Sequence, residues 1–270
     1  MCSSDPWCLA MYCRAVWLVS LRAAAVTVRA TSLRLAPTAL PRFERPSDPG
    51  EGYPFDMFQQ TALPLGFPLM LLHRTLDGAW YYAESSLASG WVAAEDVALA
   101  DETFQNAWRA LPLAAFTRDG VPLNDRTGNW LAAANLGTVL PLAGDEGSAL
   151  RVLTPVRDAE GRAVLVSARV DKSAAAAMPL PLTPRRVADV GASLMGQPYG
   201  WGGLNGDRDC SAMLRDLFTP FGVWLPRNSA AQARSGRFVD LTGGTPAARE
   251  SRILAEGRPF ATLLHDIGYL

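Results

Sequence analysis

The sequence predicts a mainly β protein that ends in an α+β domain, and three observations support this prediction. Short strands separated by turn residues, spaced about eight to twelve positions apart, fill residues 26–100 and are typical of a small barrel. The same pattern returns over residues 104–172, so two related barrels in tandem are expected. A linker over residues 171–183 then leads into a helix, a glycine-rich turn, a cysteine and a second helix.

The first barrel is predicted from apolar segments bounded by turn signals. Asp77-Gly78 indicates a hairpin, because glycine accepts the positive φ that tight hairpin turns need. A proline- and glycine-rich excursion over residues 37–54 interrupts the strand pattern. His73 falls inside an apolar strand, which favours a structural role for it. The predicted strands are residues 26–29, 68–74, 80–84 and 90–92.

The second barrel is predicted from the same features. Asp119-Gly120 and the stretch 158–161 are turn signals between apolar segments. Pro155 has no N–H to donate to a ladder, so it is expected to close the strand that it follows. The strand-forming segments are residues 116–123, 137–142, 150–154 and 163–168.

Two helices are predicted in the C-terminal domain, one on each side of the glycine-rich turn. Thr183-Pro184 is an N-cap and first-turn pair, and apolar residues at helical spacing follow it as far as Gly196. The helix after Cys210 has one apolar face and ends near Pro220. This face consists of Met213, Leu214, Leu217, Phe218 and Phe221.

Composition excludes several classes of function. The 270 residues carry a net charge of −1 and contain no basic run, so nothing suggests nucleic acid as a partner. Four cysteines and two histidines without metal-ligand spacing predict neither a metal site nor a cofactor. No stretch of eighteen uncharged apolar residues exists, so no membrane-spanning helix is expected. The oligomeric state cannot be inferred from the sequence.

Residues 1–25 are expected to form an N-terminal remnant segment ahead of the first barrel. The stretch is moderately apolar, but it opens with Asp5 and Pro6 and lacks an early basic residue, and Arg14 interrupts its apolar part. It is therefore not a clear signal peptide. The alternatives are a helix packed on the next domain and a start site inside a longer natural chain.

Cys210 stands where a nucleophilic thiolate is built, behind the glycine-rich turn and at the start of a helix. Unpaired N–H groups and the positive end of the helix dipole favour a thiolate at such a position. A cysteine nucleophile also needs a base, usually histidine. The chain offers only His73 and His265.

Three motifs in the C-terminal domain resemble those of the NlpC/p60 cell-wall cysteine peptidases. They are residues 196–203 (GQPYGWGG), 209–211 (DCS) and 226–232 (PRNSAAQ), in the order and at the spacing of that family. The upstream segments resemble the branch that carries two bacterial SH3 (SH3b) barrels ahead of the peptidase. The resemblance implies an incomplete, papain-like α+β domain over residues 181–270.

The resemblance implies a reaction as well as a fold. The family hydrolyses peptidoglycan stem peptides, often between γ-D-glutamate and a diamino acid, which places the intact relative in the cell envelope or periplasm. By the resemblance, Cys210 is the nucleophile and Tyr199 lies beside the reacting carbonyl. His265 is the candidate base.

Substrate contacts are also implied by the resemblance, with plainer alternatives left open. Asp209 would hold the free amine of the stem peptide, although aspartate is equally suited to cap the following helix. Ser211 and Ser229 would add polar contacts, and the run around Ser229 could also cap a helix. Asp56 and Tyr81 would face the site from the first barrel, with ordinary loop and strand roles as the alternative.

The chain departs from the family at the base. The family histidine is expected in a strand of the form Gly-His-Ile-x-x-Tyr, followed by a third polar residue on the next strand. Here His265 follows Leu263-Leu264, and neither element is found in that form. Impaired hydrolysis is therefore expected, because general base catalysis contributes about 10²–10⁴-fold. The alternatives are a non-catalytic wall-binding SH3b module and a lipid-modifying papain-like transferase, which the barrels weigh against.

Overall fold

The computed structural model describes residues 18–259 and 262–263. Its strands are β1 (Leu18–Thr27), β2 (Thr31–Arg34), β3 (Gln59–Leu63), β4 (Pro68–Thr75), β5 (Trp80–Glu84), β6 (Ser89–Ala93), β7 (Val97–Leu99), β8 (Leu113–Phe116), β9 (Val121–Asn124), β10 (Trp130–Ala134), β11 (Val139–Asp145), β12 (Ala149–Arg157), β13 (Ala163–Asp171) and β14 (Ala175–Ala177). Its α-helices are α1 (Glu102–Arg109), α2 (Pro184–Ala192), α3 (Cys210–Phe218), α4 (Ser229–Gln232) and α5 (Pro246–Glu256). Short 3₁₀ helices span Ala94–Asp96, Trp201–Gly206 and Thr219–Phe221.

The first sheet contains β1 to β7 in the order β3-β2-β6-β5-β4-β1-β7, so β3 and β7 are its edge strands. Leu33, Leu71 and Val92 are fully buried in the core beneath it. The predicted hairpin is confirmed: Gly78 has a φ of 72° and its N–H donates to Thr75 between β4 and β5. Residues 35–58, here called the long loop, join β2 to the edge strand β3.

β1 begins earlier than predicted. It starts at Leu18 and pairs with both β4 and β7, so residues 18–25 belong to the first sheet and not to a separate N-terminal segment. The first half of β1 is mostly exposed, while its last three residues are buried. A strand that is exposed over half its length shows no apolar alternation there, which is why the sequence pattern begins only at residue 26.

The second sheet has the order β13-β12-β11-β8-β14, and the β9–β10 hairpin packs against it over a core that includes Phe116 and Leu140. Pro155 does not close its strand as predicted, because β12 continues to Arg157 and Pro155 pairs opposite Leu165. β11 pairs with β12 only as far as Val152. Beyond that residue β12 has a ladder on one side only, and proline is tolerated in such a strand.

The two sheets and the helices pack into one continuous structure. Phe104 of α1 joins residues of both sheets, among them Val26 and Ala163, in a shared apolar cluster. Leu136, from the loop after β10, enters the core formed by α2, α3 and their neighbours, which includes Phe218. The helices therefore rest on the second sheet.

The predicted helix signals are confirmed. Thr183 caps α2 by accepting from the Arg186 N–H, with Pro184 at the first helical position. α3 begins at Cys210 and runs to Phe218. In the described part of the chain, no helix has the length and apolar character needed to cross a bilayer.

Candidate active site

Cys210 is the first residue of α3, and its side chain is exposed to solvent. The preceding residue, Asp209, caps the helix by accepting a 2.8 Å hydrogen bond from the Ala212 N–H. This cap fixes the start of the helix and leaves the thiol at its N-terminal end, next to N–H groups with no helical acceptor. The thiol of Cys210 is thus accessible to a substrate, and the helix cap fixes the backbone that carries it.

The glycine-rich turn brings Tyr199 to the same place. A bridge pairs Tyr199 with Arg208, and the Gly200 N–H donates to the Arg208 carbonyl at 3.1 Å. Burial and the negative charges of Asp209 and Cys210 raise the pKa of Tyr199 above its ordinary value, with Arg227 opposing them. The phenol therefore stays protonated at neutral pH and is able to donate a hydrogen bond.

Asp209 forms a nearly buried ion pair with Arg227. Arg227 Nη2 lies 2.5 Å from Asp209 Oδ2, and the two side chains are only 12% and 11% exposed. Burial by itself raises the pKa of Asp209, but the charge and hydrogen bonds of Arg227, the Ala212 N–H and Ser211 outweigh it and lower the pKa. Asp209 is therefore ionised at neutral pH, and its charge is compensated within the protein.

Arg227 connects this pair to the first sheet. Its Nη1 donates to Ser211 Oγ at 2.9 Å, and its Nε donates to Thr61 Oγ1 of β3 at 2.7 Å. In the sequence, the run around Arg227 is recognisable only as a motif and as a helix cap. The capping role belongs to Asn228, which accepts from the Ala231 N–H. The long-range role of Arg227 had no local signal.

Arg208 anchors the nucleophile segment on its other side. Its two Nη atoms each donate to a carboxylate oxygen of Asp119 at 2.7 Å, and its Nε donates to Asp216 at 2.8 Å. Asp119 lies in the turn between β8 and β9 of the second sheet region. The Asp209–Cys210 pair is therefore held between the first sheet, through Arg227, and the second, through Arg208.

Three other predicted site residues are Ser211, Ser229 and His265. Ser211 is part of the hydrogen-bond network around Asp209, since its Oγ donates to Asp209 Oδ1 at 3.1 Å. Ser229 is the first residue of α4 and is half-buried beside its cap, Asn228. His265 lies outside the described residues. Within the described ranges, the one histidine is His73, whose ring lies on the first sheet against Ser20 and Tyr82.

Asp56 and Tyr81 make loop and strand contacts in the first sheet, the plainer roles that the sequence left open. Asp56 is fully buried and accepts hydrogen bonds from Arg34, from the Arg42 N–H and from the Phe58 N–H. A buried carboxylate needs such donors, so it organises the long loop. Tyr81 packs against the core of the first sheet.

The long loop does reach the glycine-rich turn, through aromatic residues that were not among the predicted site residues. The centroid of the Phe55 ring lies 5.6 Å from the ring centroid of Trp201 and 6.4 Å from that of Tyr199. Asn205 Nδ2 donates to the Tyr53 hydroxyl at 3.0 Å. The sequence signal for this contact was the pair of aromatic residues, Tyr53 and Phe55, at the end of the proline- and glycine-rich excursion.

A cleft of about 710 Å³ opens between the first sheet and the glycine-rich turn. Its wall includes Ser32, Gln59, Trp80, Asp96 and Asn205, but none of Tyr199, Asp209 and Cys210. It is therefore a neighbour of the Cys210 site and not the site itself. In the part of the chain that the structure describes, no three His, Cys, Asp or Glu side chains are grouped as they would be to hold a metal ion.

Gly203 and Gly206 provide a test of how closely the turn contacts β3. Both have positive φ, 87° and 83°, but a Cβ on Gly203 would lie 2.4 Å from Ala62 Cβ, whereas Gly206 has nothing within 4 Å. Gly206→Ala is expected to cost about 1–2 kcal/mol, from its φ alone. Gly203→Ala should cost roughly 1–3 kcal/mol more, from overpacking. Urea unfolding of both variants checks this, and equal losses would contradict the close contact.

The ion pairs predict an acid limit to stability. Burial raises the pKa of Asp119, but its hydrogen bonds with Arg208 and the Arg208 charge outweigh it, so this pKa, like that of Asp209, is lowered. A carboxylate whose pKa is lower in the folded than in the unfolded chain stabilises the fold at pH values above its unfolded-state pKa of about 3.9. This stabilisation is lost as the pH falls from there through the folded-state pKa. Urea midpoints should therefore drop below about pH 4. The Asp119→Asn variant should show a shallower drop than the parent chain, and an unchanged slope would contradict the assignment.

Comparisons with known proteins agree with this architecture. Residues 41–93 match the SH3 domain of SH3b1 type, residues 101–145 the SH3 domain of SH3b2 type, and residues 196–249 the NlpC/P60 family. The chain thus carries two SH3b domains followed by an NlpC/P60 domain, and the resemblance inferred from the motifs is confirmed. The prediction of a mainly β chain with an α+β C-terminal part is also confirmed.

Two relatives match shorter stretches. The chain is 34% identical over 82 residues to a probable endopeptidase of Corynebacterium glutamicum, which is 29% of this chain and 39% of that protein. It is 37% identical over 60 residues to the γ-D-glutamyl-L-lysine dipeptidyl-peptidase of Bacillus subtilis, which is 22% of this chain and 20% of that protein. The chain therefore spans well under half the length of both relatives.

Two solved structures match most of the chain. An NlpC/P60 endopeptidase from Photobacterium damselae subsp. piscicida superposes with a TM-score of 0.69 at 32% identity, covering 78% of this chain and 45% of that one. An NlpC/P60 family protein from Bacillus cereus superposes with a TM-score of 0.60 at 20% identity, covering 80% of this chain and 78% of that one. The second match supports the fold alone.

Proposed function

We propose that this chain is a cysteine endopeptidase that hydrolyses peptidoglycan stem peptides at the amide bond between γ-D-glutamate and a diamino acid, and that its hydrolysis is impaired because His265 lies outside the family's histidine motif. The observation that carries the proposal is the exposed Cys210 at the first position of α3, with Tyr199 and the buried Asp209–Arg227 pair around it. The γ-D-glutamyl-L-lysine dipeptidyl-peptidase similarity supports the choice of bond. The substrate places the reaction in the cell envelope.

The chemistry follows from the positions of these groups. Cys210 Sγ attacks the carbonyl carbon of the γ-glutamyl amide, and the charge that develops on the carbonyl oxygen is stabilised by the Tyr199 hydroxyl and the N–H groups at the start of α3. The C–N bond then breaks, a thioester forms on Cys210, and the diamino acid leaves as an amine that has taken up a proton. Water hydrolyses the thioester and restores the thiol.

The proton transfers need a base, and we assign them to His265. The chain has two histidines, and His73 contacts Ser20 and Tyr82 on the first sheet. An imidazole is the usual partner of a cysteine nucleophile at neutral pH.

Asp209 and its hydrogen-bond partner Ser211 are assigned to the free amine of the stem peptide, with Ser229 as an additional polar contact. Asp209 Oδ2 accepts one hydrogen bond, from Arg227, so it retains acceptor capacity for an ammonium group. The carboxylate is ionised at neutral pH because its pKa is lowered. This arrangement favours short stem peptides with an unblocked N-terminus.

A matched pair of substrates tests the proposal. The chain is incubated with L-Ala-γ-D-Glu-L-Lys and with the same peptide acetylated at its N-terminus, and the products are separated by liquid chromatography and identified by mass spectrometry. L-Ala-γ-D-Glu is expected from the free peptide, with at least tenfold less from the acetylated one. Equal cleavage of both would contradict the amine site, and no cleavage of either would contradict the hydrolase.

The second candidate function is a non-catalytic wall-binding module, and the cleft of about 710 Å³ beside the first sheet favours it. Trp80 and several polar side chains line this cleft, a combination suited to cell-wall fragments. Calorimetry with the same free peptide distinguishes the two candidates. Binding of the peptide, combined with no product in the cleavage assay, would support the module over the enzyme.

A further inference from the structure

We propose that β3, the edge strand of the first sheet, positions the nucleophile segment through two side chains, Gln59 and Thr61. Gln59 holds the glycine-rich turn that carries Tyr199, and Thr61 holds Arg227 and, through it, Asp209. The inference deepens the proposed function and rests on it for its effect on hydrolysis. Its structural part is testable independently.

Gln59 binds the turn directly from a buried position. Its Nε2 donates to the Gly202 carbonyl at 3.1 Å and to Ser32 Oγ at 2.9 Å, and its Oε1 accepts from Arg34 Nη1 at 3.1 Å. Both amide hydrogens and the amide oxygen of Gln59 are thus engaged. A buried amide with all its partners has one stable orientation, so it is a fixed support for the turn.

The support of Gln59 extends into the long loop. Arg34 is buried, and its Nη2 donates to Asp56 Oδ2 at 2.9 Å while its Nε donates to the Thr38 carbonyl at 2.6 Å. Asp56 therefore supports the turn indirectly: it binds Arg34, Arg34 binds Gln59, and Gln59 binds the turn. Asp56, which the family resemblance implied would face the substrate, is in this arrangement a positioning residue.

The turn has little space in which to move relative to β3. Gly202 and Gly203 both have positive φ, and a Cβ on Gly202 would lie 2.8 Å from Gln59 Cγ. The backbone of the turn therefore lies directly against the strand. An edge strand offers backbone groups without a strand partner, and covering it with a loop also protects it from pairing with another chain.

Thr61 provides the second contact, two residues further along β3. It is fully buried, and its Oγ1 accepts from Arg227 Nε at 2.7 Å. This bond orients the guanidinium group, whose Nη atoms donate to Asp209 and Ser211 on the two sides of Cys210. β3 thus supports the oxyanion side of the site through Gln59 and the amine-binding side through Thr61.

The two contacts predict different kinetic effects. Gln59→Met should lower kcat by roughly tenfold to a hundredfold with little change in KM, because a displaced Tyr199 stabilises the transition state poorly. Thr61→Val should raise KM by about tenfold with little change in kcat, because Asp209 binds the substrate amine. Thr61→Ser, which keeps the hydroxyl group, should restore the parental KM.

Hydrogen exchange followed by mass spectrometry on the full chain tests the structural part without any need for hydrolysis. Gln59→Met should speed exchange in residues 199–207 and leave residues 226–233 unchanged, and Thr61→Val should do the reverse. If Gln59→Met does not fold, Gln59→Glu keeps the acceptor for Arg34 while losing the donor to Gly202, and it replaces the first variant.

The outcomes separate the inference from the proposed function. The reciprocal exchange pattern supports the positioning role even in a chain that hydrolyses nothing, in which case only the proposed function fails. Exchange that changes in both segments together, or in neither, in folded variants would overturn the inference. The same holds for an active chain in which Thr61→Ser does not restore KM.

Discussion

Cys210→Ala is expected to abolish hydrolysis of L-Ala-γ-D-Glu-L-Lys while leaving the chain folded. Deleting a covalent nucleophile costs roughly 10⁶-fold in turnover, which takes the rate below detection. The side chain is exposed at the start of α3, and Asp209 supplies the helix cap, so little stability is lost with the thiol. Product formation by mass spectrometry and the urea midpoint are measured together. Residual hydrolysis at the parental rate would exclude Cys210 as the nucleophile.

The two histidines give a matched control for this prediction. His265→Gln should reduce the remaining hydrolysis, by at most about 10²–10⁴-fold, the usual contribution of a general base. His73→Gln should change the rate by no more than a few fold, because that ring lies against Ser20 and Tyr82 on the first sheet. A reversed order of the two effects would contradict the assignment of the base.

Arg227→Met is expected to destabilise the protein by about 3–5 kcal/mol, the cost of leaving a buried charge without its partner. Asp209 would remain 11% exposed beside an apolar side chain, with only the Ala212 N–H and the Ser211 hydroxyl as donors. Urea unfolding followed by tryptophan fluorescence measures the loss. The pKa of Asp209 should rise in this variant, because the guanidinium charge that lowers it is gone.

A double-mutant cycle isolates the ion pair from other effects of the substitution. Asp209→Asn removes the charge of the carboxylate, so adding Arg227→Met to it should cost much less than Arg227→Met alone. Arg227→Lys keeps the charge but loses the forked geometry, and an intermediate loss is expected from it. Additive losses in the cycle would contradict a direct interaction between the two side chains.

The parts of the fold that were predicted correctly depend on local chemistry. The hairpin at Asp77-Gly78 follows from the backbone preference of glycine, and the start of α2 follows from Thr183-Pro184, which carry their own capping geometry. Cys210 was placed at a helix start because a glycine-rich turn precedes it and an apolar helix face follows it, and α3 does begin there. Each of these features is determined within a few residues of sequence, so a single sequence reveals it.

The parts that were missed depend on contacts between distant segments. Arg227 and Thr61 are 166 positions apart, and Gln59 and Gly202 are 143 apart, so no local pattern links them. Pro155 was expected to end a strand, but the partner strand on one side had already ended, which only the sheet order reveals. The family resemblance implied that Asp56 faces the site from the first barrel, whereas the structure shows its carboxylate buried and bonded to Arg34 and to the Arg42 N–H, contacts that no local pattern reveals.

The most direct test of the central claim is to trap the acyl-enzyme on Cys210. The chain is mixed with L-Ala-γ-D-Glu-L-Lys, quenched in acid within the first turnover and digested with trypsin. The mass of the tryptic peptide of residues 209–215, released by cleavage after Arg208 and Arg215, is then measured by mass spectrometry. If Cys210 is the nucleophile, this peptide carries an L-Ala-γ-D-Glu adduct, attached through a thioester that hydroxylamine removes. Product formation with this peptide unmodified, and with the Cys210→Ala variant equally active, would contradict it.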